Sequence, residues 1–194
     1  MLVGSGVAAT QTRELPPFDG VELAGSNQVT IRVGSEQSVV VHADDNLLDR
    51  VTTRVSGGKL VIGNEAGGFT TRSPIRVDVT VPAVNELALS GSGTIAAEGV
   101  DVDALAIALS GSGVVSANGR AQQIDVKLNG SGDVQLQDLV AHEVHAKMSG
   151  TGCIAVNATE SLDASVPGTG SIVYTGNPPS VRKSVSGIGS VSGR

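Results

Sequence analysis

The sequence predicts an all-β chain folded as a parallel β-helix, a solenoid with coils of about 18–20 residues, and three observations carry that prediction. First, a Gly-x-Gly tripeptide recurs six times, as Gly91-Ser92-Gly93, Gly111-Ser112-Gly113, Gly130-Ser131-Gly132, Gly150-Thr151-Gly152, Gly168-Thr169-Gly170 and Gly187-Ile188-Gly189. The first glycines lie 20, 19, 20, 18 and 19 residues apart, and a fixed period near 20 is the signature of a solenoid. Second, apolar residues keep fixed offsets from each tripeptide. Leu89, Leu109, Leu128, Met148, Val166 and Val185 stand two before it, and Ile95, Val115, Val134, Ile154, Ile172 and Val191 four after. Third, the alternation has period two, which marks strands with one buried face. Nothing in this half repeats at 3.6, and glycine and β-branched residues are abundant, so helix is excluded.

Each regular unit, over residues 83–194, therefore reads as strand, tight turn, strand. The column four before the turn is Leu87, Ile107, Val126, Ala146, Ala164 and finally Lys183. The twelve turn glycines demand either positive φ or a backbone too crowded for a Cβ. The Ser or Thr between them in five of the six copies suits hydrogen bonding to turn amides. A meander of hairpins would share the strand-turn-strand pattern. In-register columns favour stacked coils, spaced at the inter-strand distance of roughly 4.8 Å.

The pattern extends backward more weakly over the irregular units, residues 11–82. Gly25-Ser26-Asn27 carries Val21, Leu23, Val29 and Ile31 at the right offsets, with Asn27 expected in the left-handed region. Gly4-Ser5-Gly6 lies 21 residues further upstream and reads as one more unit. Val39–Val41, Val51–Val55, Leu60–Ile62 and Ile75–Val81 read as strands, with a turn at Ser56-Gly57-Gly58-Lys59. Asp44 to Asp49 reads as a short helical turn, and Gly63 to Ser73 as a polar loop. No linker divides the chain, so residues 1–194 are expected to form one domain. The last coil ends at Ser192-Gly193-Arg194 without a polar cap. That predicts a second copy or another protein stacked on the solenoid end.

Composition narrows the function. The net charge is −6 with no basic stripe, so nucleic acid is not expected as a partner. Aromatics are 2 % of the chain, too few for a stacking platform, which leaves polar contacts to a surface glycan. No run of 18 apolar residues predicts a transmembrane segment. The first residues lack the charged and apolar regions of a leader.

Candidate chemistry is sparse. Cys153 would need a base, and His145 lies on the opposite strand of its coil. His142 and His145, three apart on a strand, are expected on opposite faces. Asp44, Asp45 and Asp49 lack the glycine and terminal glutamate of a calcium loop. Asp125, Asp133 and Asp163 are the carboxylates a glycoside hydrolase or lyase would use, yet no Arg, Lys or aromatic cluster converges on them. The Gly-Ser-Gly turns precede strands rather than helices, so they are not phosphate loops. The expectation is no catalytic residue, no metal ligand and no cofactor.

Arg13-Glu14-Leu15 with Phe18-Asp19-Gly20-Val21-Glu22-Leu23, Val39 to Leu48, and the Gly-Ser-Gly ladder together resemble the bacterial head GIN domain family of autotransporter-adhesin-like domains. The resemblance covers residues 11–190 or so. It implies a right-handed β-helix with two sheets joined by tight turns. It also implies an extracytoplasmic protein (periplasmic, outer-membrane-associated or at the cell surface) whose leader is absent here. The function expected is non-catalytic adhesion or surface binding. The alternatives are a polysaccharide lyase or hydrolase on the same scaffold, and an envelope structural or regulatory interaction module.

Overall fold

A computed structural model describes residues 1–194. The chain begins with β1 (Leu2–Val3), β2 (Ala8–Thr12), β3 (Gly20–Leu23), β4 (Gln28–Val33) and β5 (Ser38–Asp44). The expected helical turn is a 3-10 helix over Asp45–Arg50. There follow β6 (Val51–Ser56), β7 (Lys59–Asn64), β8 (Phe69–Thr70), β9 (Arg76–Val81) and β10 (Glu86–Leu89). Four long strands come next: β11 (Thr94–Leu109), β12 (Val114–Leu128), β13 (Asp133–Met148) and β14 (Cys153–Val166). The last are β15 (Ser171–Thr175), β16 (Ser180–Val185) and β17 (Ser190–Gly193). Stacked parallel coils form a β-solenoid of about five turns.

Each long strand runs through most of a coil. Its alternation breaks where two successive residues face out, at Glu98-Gly99 and again at Asp103-Ala104 in β11. These are corners, and β11 and β12 slip in register across the first of them. Gly99 (φ 73°) and Gly119 (φ 123°) supply the left-handed backbone there. A coil thus has three straight runs, where the family resemblance implied two sheets.

The interior is a set of ladders. Leu23, Leu89, Leu109, Leu128 and Met148 stack in register, as do Val21, Leu87, Ile107, Val126, Ala146 and Ala164. All of them are buried, within a core of 45 apolar residues.

The turn glycines are held by crowding. None of the twelve has positive φ. A Cβ on Gly111, Gly130 or Gly150 would run into the carbonyl oxygen of the first glycine one coil earlier. Even at Gly168, a loose rung, that oxygen would lie at 2.5 Å. The same carbonyls accept backbone hydrogen bonds from the next coil: Ser131 N–H donates to Gly111 (3.1 Å) and Thr151 N–H to Gly130 (3.1 Å). The turn ladder is therefore a backbone feature. The Ser and Thr side chains at its tips are exposed and bond no turn amide.

The first half departs from sequence order. β3 and β4 stack directly on β10 and β11, so Gly25 lies beneath Gly91. The next coil outward is built from β7 and β9, which pair with the other edges of β3 and β4. Antiparallel strands then close this end: β6 on β7, β5 on β9 and β2 on β5. Gly4-Ser5-Gly6 is not a further coil, because β1 pairs with β8 and the Gly4 amide donates to the Thr70 carbonyl. Asn27 is not left-handed. It is buried and exchanges two amide hydrogen bonds with Asn64, at 3.1 and 3.2 Å. No tight Gly-x-Gly turn lies beneath it, so a side chain fits where later coils need glycine.

At the other end β16 and β17 form the last rung, pairing with β14 and β15. Lys183 falls in the interior column, in register with Ala164. Its ammonium crosses the coil mouth to lie 3.5 Å from the Val191 carbonyl and 5.1 Å from the Tyr174 ring centre.

Candidate functional site

The residues singled out from the sequence do not come together. Asp133 lies at a turn shoulder and accepts the Cys153 amide at 3.1 Å, one coil on. Asp125, His145 and Asp163 occupy successive rungs of a different run, facing out. His142 also faces out, because a corner separates it from His145, and its Nδ1 lies 2.9 Å from Glu160. The two histidines therefore share the exterior, contrary to the expectation for an unbroken strand.

The acidic cluster is a loop staple. Asp44 is fully buried, and its Oδ2 accepts the Arg72 amide at 3.0 Å. That bond, with further donors from Ser73 and Gly6, holds the carboxyl below the usual carboxylate range. Asp45 instead takes the Ser5 hydroxyl. The donors around Asp44 are N–H and O–H groups, the surroundings of a carboxylate rather than of a cation.

Depressions in the surface follow the corners and runs. The largest, about 710 Å³, is acidic and lies along a corner between Asn85, Asp101, Asp103, Gln123 and Asp125. Arg120 grips Asp101 there through two bonds of 3.0 and 2.8 Å, which lowers the Asp101 pKa.

Four more depressions lie in line down one face, the run that follows each tight turn. The first, about 320 Å³, contains Thr10, Gln28, His42 and Arg76. The second, about 270 Å³, shares Arg76 and adds Thr30, Arg32 and Asp78. The third, about 250 Å³, holds Glu98, Ser116, Asn118, Gln135 and Gln137. The fourth, about 200 Å³, shares Gln137 and reaches Thr175 and Arg194. An Arg32–Glu98 ion pair of 3.2 Å sits between the second and third. The outward column along this face runs in register through Asp78, Thr30, Ala96, Ser116, Gln135, Ala155, Val173 and Ser192. Most of these side chains are small, which is why the face is furrowed. From β5 to β17 it spans nine strands, roughly 38 Å at a spacing of about 4.8 Å.

Sequence reading missed the head of this line. His42 and Arg76 come from strands 34 residues apart, paired antiparallel in the cap. The only sequence signal was a His and an Arg at outward positions of two strand-like runs.

The protein is thus of the β-solenoid class, with depressions aligned along one continuous face. The chain belongs to the family described as "Putative auto-transporter adhesin, head GIN domain", whose pattern matches residues 17–178. Among solved structures, it is similar to a "putative adhesin" from Bacteroides fragilis, at 22% identity and a TM-score of 0.83 with 100% of each chain covered. It is also similar to a "putative lipid binding protein" from Parabacteroides distasonis, at 22% identity and a TM-score of 0.65 with 100% and 99% covered. A further "putative adhesin" from that organism gives 19% and 0.64, with 100% and 99% covered. At these identities the likeness is one of fold. No protein of curated function matches the chain. No helix is long and apolar enough to cross a membrane.

Proposed function

We propose that the protein is a non-catalytic binding module of the cell envelope or surface, and that a glycan is its ligand. The observation that carries this reading is the line of four depressions on one face, each with polar side chains in its lining. A ladder-bonded sheet holds their side chains at fixed spacing, so an elongated ligand is met without any backbone having to be ordered first. The middle two are lined mainly by amide, hydroxyl and charge, and the first and last add apolar surface from Ala8, Ala43 and Pro74 and from Ala155 and Val173, a mixture that suits the hydroxyls and C–H faces of a sugar chain. The family description and the adhesin-like structural neighbours support the same reading.

The solenoid end is the less favoured docking place. A partner coil stacked on β16 and β17 would bury the Lys183 ammonium, and an inward-pointing charge of this kind guards sheet edges against pairing. An acyl chain fares no better inside, because apolar side chains fill the coil interior.

A glycan array probed with the labelled protein tests the proposal. Binding that is weakened by Gln135→Ala and Gln137→Ala is the expected result. Turnover of pectin or alginate that disappears in Asp125→Ala would instead establish a polysaccharide-active enzyme.

A further inference from the structure

Arg76 stands out among the charged groups of this face. It lines both depressions at the head of the line and forms no ion pair, although Asp78 is two residues away on the same side of β9. Asp78 pairs with His42 instead, whose Nε2 lies 2.7 Å from its carboxylate, and the guanidinium is left without a carboxylate partner. His42, Arg76 and Gln28 are consecutive rungs of β5, β9 and β4, so cation, imidazole and amide share one wall. Thr10, opposite His42 on β2, adds a hydroxyl. The space, about 320 Å³, is at the lower end of the range typical of small-ligand sites.

We propose that this pocket is an anion site, in which Arg76 receives the carboxylate of an acidic sugar through a bidentate guanidinium contact. Gln28 and Thr10 take its hydroxyls. The proposal rests on the glycan-binding reading and specifies where on the ligand the charge sits. A peptide carboxylate fits less well. β5, β9 and β4 are each paired on both edges here; the one free edge is that of β2, and a strand added there would run three strand spacings, roughly 14 Å, from β9 and Arg76. A polyanion fits less well too. Further down the face stand Glu98 and Asp138, and the chain carries a net −6. The ligand is therefore a largely neutral glycan bearing a single acidic residue at the end that meets the cap.

Calorimetric titration with a glucuronate-terminated oligosaccharide tests this, alongside its carboxyl-reduced counterpart, a polygalacturonate and an acidic peptide. The expected result is binding to the acid-terminated sugar that is about tenfold or more weaker for the reduced sugar and for Arg76→Ala. Arg76→Lys, which keeps the charge but loses the fork, should fall between, and Arg54→Ala on the exposed side of β6 should bind as wild type. The melting temperature of Arg76→Ala checks that the cap is intact. Equal binding of the acid and reduced sugars, unaffected by Arg76→Ala, would overturn the anion site while leaving glycan binding standing. Binding of no sugar at all would remove both readings, and tighter binding of the polyanion or the peptide would overturn the ligand class.

Discussion

The two ends of the solenoid are closed by different physics. At one end the chain doubles back, and antiparallel β2, β5 and β6 cover the outermost coil while Asp44 pins the loops of residues 4–6 and 71–73. At the other a single side chain, Lys183, lies across the mouth of the last coil. The first closure covers the outermost coil with added strands, and β2 and β6 become the new edges. The second sets a charge at the edge and makes it unattractive to a further strand. Between them the regular coils need only repetition, with each turn glycine fitted against the carbonyl of the coil before it.

The largest effect expected is in that repeating middle. Gly130→Ala drives a methyl into the Gly111 carbonyl and should cost more than about 3 kcal/mol, in the range of severe backbone and packing lesions. Gly57→Ala, in an open hairpin with φ 58°, should cost only about 1–2 kcal/mol. Denaturant midpoints compare the two, and equal costs would refute the crowding account. Next comes Asp44→Asn, which removes the charged acceptor of the cap. Hydrogen exchange should quicken in residues 1–8 and 65–75 and stay slow in β11 to β14. Asp44 titrates below its ordinary range when folded, so its contribution is present at and above that range and is lost as pH falls through the lowered value. Acid should therefore loosen the cap before the regular coils, as read by exchange at decreasing pH. Lys183→Leu should leave the melting temperature nearly unchanged but increase self-association in sedimentation runs, whereas Lys183→Glu should not. The smallest effect belongs to Cys153→Ser. Its half-exposed thiol has no role in the core, and a shift within about 0.5 kcal/mol is expected.

How much of this was legible depended on where each coil's spatial neighbour lies in sequence. From Leu87 onward the neighbour is the next repeat, so columns such as Leu89, Leu109 and Leu128 could be read directly and the stacked coils inferred. Before that, β7 and β9 are inserted outside β3 and β4, and no periodicity records an insertion out of order. Gly4-Ser5-Gly6 kept the spacing of a repeat by coincidence, and only its pairing with the β8 region reveals its place. The corners were hidden for a related reason. Doubled outward residues such as Gln122-Gln123 look like ordinary polar strand positions unless a second strand gives the register. The candidate binding face suffered most. Its floor is small residues whose only signal is being unremarkable, and its head needs His42 and Arg76 brought together across an antiparallel pair.

The stacking of Gly25 beneath Gly91 has a kinetic consequence. Those residues are 66 apart in sequence, whereas successive later turns are 18 to 20 apart. Docking the first coil on the second therefore closes a loop more than three times longer than any later rung does. Long closures slow folding more than they weaken the product. As the chain emerges, β2, β5, β9 and β4, and likewise β6, β7 and β3, pair only among themselves until β10 and β11 arrive to join them, while each coil after β11 adds to an edge already in place. The slow step in forming this molecule should be the joining of its beginning to its middle, with the remaining coils winding on quickly behind it.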